Sequence, residues 1–271
     1  MSDAQRTGEQ QRPGEQPRTG AQQRAGVQET GVQRSDAAAP AAAAAAPAAP
    51  GTGTRQSFLD LLHAQRVWDV DLPSFDPATA PSTPLPLFHA WFAEAVAAGQ
   101  AEPHTMSLAS VDAEGRPDVR TLMLHDADER GWHFATHRTS AKGRQLAAHP
   151  HAALGFYWPV QGRQVRVRGP VTETSRAESL ADLHARSTGA LASALTGSQS
   201  EVLGSREELA RTADAAWERA RTEPDAEVAS WTRYVVEPQE VEFFQGDARR
   251  RHVRLRYRRD GADWARELLW P

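Results

Sequence analysis

The chain contains no cysteine. Thiol catalysis, disulfide frameworks and thiolate-ligated zinc are therefore excluded. Isoleucine and asparagine are absent too, and Lys142 is the single lysine among 31 basic residues. These missing or rare residues have AT-rich codons, so the bias reads as that of a GC-rich genome, against which one retained lysine stands out. No apolar run approaches the about 18 residues that a membrane span needs. The polar N-terminus lacks the hydrophobic centre of a signal peptide, and a cytoplasmic protein with no membrane partner is expected. Basic charge is not in excess: 31 Lys and Arg against 35 Asp and Glu give a net charge of −4, so no basic field draws in nucleic acid.

The 271 residues allow one large or two small domains. Residues 1–55 contain, apart from Met1, only Val27 and Val32 as sizeable apolar side chains. They carry a six-residue period, Arg6-x-Gly8-x-Gln10 through Arg24-x-Gly26-x-Gln28, in which no apolar residue recurs to fill a β-helical core. An Ala/Pro stretch follows, and the expectation is a disordered low-complexity tail over 1–55 and one folded domain over 56–271.

Phe88, Trp91, Phe92 and Val96 recur at helical spacing after Pro86, which predicts a core-facing helix ending at Gly99. The period then changes. Short runs rich in Val, Leu and aromatics at 106–111, 119–124, 132–136, 152–158 and 164–171 are separated by turn residues, as in an antiparallel sheet or barrel. Ser140 caps a short helix, Ser175-x-x-Glu178 is a capping box, and 206–221 reads as a further helix. Strands return at 231–236, 239–244, 252–258 and 264–270. The fold class is α+β, one domain around an antiparallel barrel with peripheral helices.

HExxH, GxSxG, Walker and GxGxxG signatures are absent. His149-Pro150-His151 has no third ligand nearby, so no metal site is expected. Three constellations remain. Arg120, Thr136, Ser140 and Lys142 gather around a helix start, where a lysine opposes the helix dipole unless an anion sits there; a solvated lysine on a capped helix reads the same way. In Gly162 to Gly169, Val165 and Val167 face the core and Gln164, Arg166 and Arg168 share the other side, as in any half-exposed strand. Arg250, His252 and Arg254, taken as one strand, place two guanidiniums and an imidazole on one face; a basic edge that resists aggregation would look alike.

Taken in order, LFHAW (87–91), SLASVDAEGRPDVRTLML, FATHRTSAKGRQLAAHP, ALGFYW, GRQVRVRGPV, GSQS, EVEFFQG and RRRHVR resemble the pyridoxine (pyridoxamine) 5'-phosphate oxidase family across nearly all of the chain after the tail. The resemblance implies a split β-barrel, homodimeric, with FMN at the subunit interface. It assigns Arg120, Thr136, Ser140 and Lys142 to the phosphate side of FMN. Gln164, Gln199, Ser200, Phe244 and Arg254 correspond to its other contacts, and Arg250 and His252 to the pair that holds substrate over the flavin. It further implies hydride transfer from a C–H next to nitrogen to flavin N5, with O2 as the electron acceptor, the protein supplying orientation.

The departures concern the substrate. His125 stands where the family has a phosphate-binding lysine, and Asp182 and Ala190 replace a tyrosine and a serine. Arg186 alone remains. A carboxylate about 4 Å from a phosphate repels it by several kcal/mol, so Asp182 argues against a phosphorylated substrate. Ala135, Ala141 and Phe244 replace a tyrosine, an arginine and a tryptophan on the flavin side. The pattern is similar to the family branch that oxidises reduced tricyclic intermediates of phenazine biosynthesis, which carry ring carboxylates. The expectation is an FMN oxidase of a reduced nitrogen heterocycle, with His125, Asp182, Arg186, Arg250 and His252 around the substrate. Vitamin B6 synthesis and a noncatalytic cofactor-binding split barrel are the alternatives.

Overall fold

The computed structural model describes residues 55–68 and 71–271. The tail expected over residues 1–55 falls almost wholly outside the described residues. Phe58–Pro271 form one compact unit.

Helix α1 (Arg55–His63) leads to a 3-10 turn at Pro77–Thr79, where Asp76 accepts a hydrogen bond from the Ala78 amide at 3.0 Å. Helix α2 (Pro84–Ala97) has a buried stripe of Leu87, Phe88, Trp91 and Ala95. Val96, expected in that stripe, is 54% exposed. The core-facing positions run 84, 87, 88, 91 and 95, and Val96 lies one step round the helix from them. Phe88 sits at the centre, its ring 5.1 Å from Phe156 and 5.3 Å from Trp132.

Strands β1 (Thr105–Val111), β2 (Pro117–Met123), β3 (Asp126–Asp128) and β4 (Gly131–His137) follow, then helix α3 (Ala141–Ala148). After β5 (His151–Trp158) and β6 (Arg163–Glu173) come helices α4 (Arg176–His184), α5 (Thr188–Thr196) and α6 (Arg206–Thr222). Strands β7 (Trp231–Val236), β8 (Glu240–Gln245), β9 (Val253–Asp260) and β10 (Asp263–Leu268) complete the chain. The capping box at Ser175 and Glu178 forms as its spacing predicts. Helix α5, unlike its neighbours, was not foreseen: TGALASALT has no strong apolar period, and Ser187 alone marks its start.

The strands pair antiparallel in the order β10-β9-β8-β6-β5-β1-β2, while β7 pairs with β6 and β4, and β3 pairs with β4. The first half of β6 pairs with β5 and β8, and its last residues, Val171 to Glu173, pair with β7. One strand thus belongs to both halves of a curled sheet. Gly169 sits where it turns, and any side chain there would run into the Glu237 carbonyl. The result is an α+β split barrel with peripheral helices. Val165, Val167, Val241, Phe243 and Leu255 fill its inside in alternation with outward polar residues.

Candidate functional site

Strand β4 ends at His137, and Ser140 turns the chain into α3. Its hydroxyl donates to the His137 carbonyl at 2.7 Å and accepts from the Gly143 amide at 3.3 Å. Gly143 lets that first turn press on the Arg138 backbone, which a Cβ would strike. Lys142 lies inside this turn, 7% exposed. Its ammonium donates to Gln199 Oε1 at 2.9 Å and Thr136 Oγ1 at 3.3 Å, and among the described residues it has no carboxylate partner. Burial lowers its pKa, and the charge of Arg120 lowers it further against the smaller opposing pull of Asp118. A desolvated cation with only neutral acceptors, beside a helix N-terminus, has the chemistry that could hold an anion.

The neighbours are arranged to the same end. Gln199 lies between Ser198 and Ser200, both at left-handed φ of 43° and 78°, a costly conformation for non-glycine residues. That loop brings Gln199 onto Lys142 and lets Ser200 Oγ accept the Ala141 amide of α3 at 3.1 Å. Arg120 is close, but its donors are committed to Ser110 (2.5 Å), Gln145 (2.8 Å) and Asp118.

Thr136 and Gln199 also line a cavity of about 1020 Å³, with His125, Arg186, Trp231 and, from α6, Trp217. Asp182 stands behind this wall. Its carboxylate takes the His125 Nδ1 proton at 2.7 Å and the Trp231 indole N–H at 3.3 Å, and lies 3.8 Å from Arg186 Nε. Burial pushes its pKa up, but bonding to His125, the charge His125 carries when protonated and the charge of Arg186 outweigh this and leave it below the ordinary value. The expected bare carboxylate facing a ligand is therefore corrected: the charge of Asp182 is already taken up by its own neighbours.

Gln164, Phe244 and Arg254 form a cross-strand row over β6, β8 and β9, each directly opposite the next. Arg254 also donates to Glu242 at 2.8 Å and to the Trp270 carbonyl at 2.8 Å. The strand expected to begin at His252 begins at Val253. Arg250 lies instead in a turn, at φ 65°, with its amide on the Asp247 carbonyl. The Asp247 amide donates to His252 Nδ1 at 3.1 Å, so the proton of a neutral His252 is on Nε2. Trp68, a residue with no sequence signal, covers this group. Its ring lies 4.9 Å from His252 and 6.1 Å from Phe244, and the Arg250 guanidinium is 5.8 Å away.

One chain thus brings Thr136, Ser140, Lys142, Gln199 and Ser200 together, with Arg120 alongside, and places His125, Asp182 and Arg186 on the same cavity. Gln164, Phe244, Arg250, His252 and Arg254 form a second group. Three ladder steps separate Arg120 on β2 from Gln164 on β6, about 14 Å at ordinary strand spacing. Among the described residues no cluster of three His, Asp or Glu could hold a metal ion, and no helix is long and apolar enough to cross a membrane.

Residues 92–220 match the Pyridoxamine 5'-phosphate oxidase family, and residues 231–271 match the Pyridoxine 5'-phosphate oxidase C-terminal dimerisation region. The pyridoxine/pyridoxamine 5'-phosphate oxidase of Pseudomonas fluorescens (strain Pf0-1) is 46% identical over 197 residues, 72% of this chain and 91% of that protein. PhzG from Burkholderia lata 383, solved in complex with tetrahydrophenazine-1-carboxylic acid, superposes with a TM-score of 0.68 at 31% identity, over 74% of this chain and 99% of that one. A pyridoxamine 5'-phosphate oxidase-related, FMN-binding protein from Nostoc punctiforme shares the fold, with a TM-score of 0.56 at 22% identity over 73% of this chain and 99% of that one. With its split barrel and these matches, the chain belongs to the pyridoxamine 5'-phosphate oxidase family of oxidoreductases.

Proposed function

We propose that the protein is an FMN-dependent, homodimeric oxidase that takes hydride from a reduced nitrogen heterocycle bearing a ring carboxylate, as in phenazine precursors, and passes the electrons to O2. The observation that carries the flavin assignment is Lys142, a buried ammonium without a carboxylate at the start of α3. Lys142, Thr136, Ser140, Gln199 and Ser200, with Arg120 behind them, would hold the FMN phosphate. When bound, the flavin supplies the two-electron acceptor.

The remaining contacts are those of the row Gln164, Phe244 and Arg254, which lies three ladder steps from Arg120 in one chain and on the outer face of the sheet. A second copy would bring its row to the first copy's cavity, in keeping with the dimerisation region at 231–271. His252, protonated on Nε2, donates a hydrogen bond to a polar substituent of the substrate, and the Arg250 guanidinium covers its ring. Both are positioning tasks that exclude water and fix the angle of the reacting C–H.

The cavity of about 1020 Å³, walled by Trp217 and Trp231, is at the upper end of small-molecule pockets and suits a multi-ring substrate. The similarity to PhzG supports that class. Vitamin B6 oxidation is the second reading, favoured by the 46% identity to the Pseudomonas enzyme. Anaerobic mixing separates the two. Bleaching of the yellow protein by a dihydro-heterocyclic carboxylate, and slow bleaching by pyridoxine 5'-phosphate, is the expected result. The reverse order establishes the second reading, and a colourless protein that takes up no FMN refutes both.

A further inference from the structure

Asp182 does not line the cavity, yet three residues that do, His125, Arg186 and Trp231, are tied to it from behind. The side chains of His125 and Asp182 are 7% and 8% exposed, so neither is free to rearrange in solvent. The Arg186 guanidinium also contacts His125 Nε2. A guanidinium has donors and no acceptor. A neutral His125 therefore offers its Nε2 lone pair to Arg186 and carries its proton on Nδ1, facing Asp182. The unit then holds one positive and one negative charge. Among the described residues lining the cavity Arg186 is the sole arginine or lysine, whereas Glu102, Glu201 and Glu208 line it as carboxylates. With Lys142, whose partners Thr136 and Gln199 line the same cavity, given over to the FMN phosphate, a phosphate monoester dianion entering at Arg186 would lose its hydration and meet no further uncompensated cation among the described residues. A planar carboxylate has less hydration to lose and fits the remaining N–H fork of Arg186.

We infer that Asp182 is the specificity-determining residue of this cavity: by compensating Arg186 and fixing His125 as a neutral hydrogen-bond acceptor, it builds a charge-balanced wall that admits a ring carboxylate and discriminates against a phosphate monoester. This rests on the substrate class proposed above and adds the residue that sets it. Asp182 acts through His125 and Arg186, so it is a positioning residue.

The test is the affinity of the FMN-loaded protein for pyridoxal and for pyridoxal 5'-phosphate, read from the perturbation of the flavin spectrum. In the wild type the phosphate should add less than about tenfold in affinity. In Asp182→Asn, which leaves Arg186 uncompensated, the phosphate compound should gain at least about tenfold relative to pyridoxal. His125→Gln leaves the net charge unchanged and should hold the ratio within about threefold. A wild type that already prefers the phosphate by about a hundredfold, or an Asp182→Asn ratio equal to that of the wild type, overturns the proposal. Should Asp182→Asn fail to fold, imidazole ¹⁵N spectra of the wild type decide. A proton on His125 Nδ1 and a bare Nε2 at neutral pH is expected, and a doubly protonated or Nε2–H ring overturns it. No turnover is involved, so failure to oxidise a heterocycle would count against the proposed reaction and leave this ratio standing.

Discussion

Replacing Lys142 with methionine should move two measurable quantities in opposite directions. The ammonium is buried, its pKa is lowered by burial first and then by the charge of Arg120, and its acceptors are the neutral oxygens of Gln199 and Thr136. Those two oxygens also bond to each other at 3.0 Å, so removing the ammonium leaves neither orphaned. Methionine fills the space without a charge. The apoprotein should therefore gain about 1 kcal/mol, which raises the melting temperature of a domain of this size by about 2–4 °C. FMN binding should suffer. An ammonium and a doubly charged phosphate about 4 Å apart attract by about 8 kcal/mol at an effective dielectric of about 20. Desolvation returns most of that, and a charge-assisted hydrogen bond retains about 1.5–3 kcal/mol. The FMN dissociation constant should rise about ten- to two-hundredfold.

Melting of the deflavinated protein and quenching of FMN fluorescence on titration measure the two quantities. The pH dependence supplies a third check with a defined sign. The folded pKa of Lys142 lies below its ordinary 10.5, so the unfolded chain binds more protons between the two values. The stability of the apoprotein should rise with pH across that window, relative to Lys142→Met. An apo variant that melts several degrees lower while its FMN affinity is unchanged would refute the reasoning, since Lys142 would then be a structural donor and no anion site.

Asp128 gives a test in which the mutation costs stability, although its pH slope has the same sign as that of Lys142. Burial raises its pKa, but His133 at 2.8 Å and the Arg130 amide at 2.9 Å outweigh that and bring it to about 2 from 3.8. Its contribution is present above about pH 4 and fades as the pH falls toward 2, so Asp128→Ala should cost about 1 kcal/mol at neutral pH and little at pH 2, with allowance for its partial exposure, as checked by urea unfolding at both pH values. Phe88→Ala should cost about 3–5 kcal/mol in the same assay, because it removes the ring at the centre of the α2 and barrel cluster. Arg250→Ala and His252→Gln should slow flavin reduction by the substrate by about a hundredfold and change FMN affinity by less than about threefold, as stopped-flow absorbance and fluorescence titration report.

Strands β5 and β6 were legible because each buries one face, and alternation survives in the sequence where one side is core and the other is water, whereas β4, buried at every position, shows only as a short aromatic run between turn residues. The buried Lys142 was legible for a different reason, a lysine kept at a helix start in a chain that otherwise uses arginine. What escaped is what depends on residues far apart in sequence. Asp182 meets His125 across 57 positions and Trp231 across 49, and no local spacing carries such a pairing. The turn at Arg250 escaped because alternating basic residues mimic a strand, while the chain in fact turns there, with the Arg250 amide on the Asp247 carbonyl and a left-handed φ at Arg250. Trp68 docks where Gly162 and Gly246 leave room for its ring, which neither glycine announces by itself.

Strand β6 pairs with β5, β7 and β8, so three ladders converge on one segment. During synthesis β5 is at hand immediately, whereas β7 and β8 follow only after α4, α5 and α6 have been made. Until then one edge of β6 is open, with its backbone donors and acceptors unpaired. Long-range closure of this kind is slow and leaves an exposed edge on which intermediates associate. The outward Arg166 and Arg168 then have a second duty, to keep that edge charged until Glu240 and Glu242 arrive to pair with them.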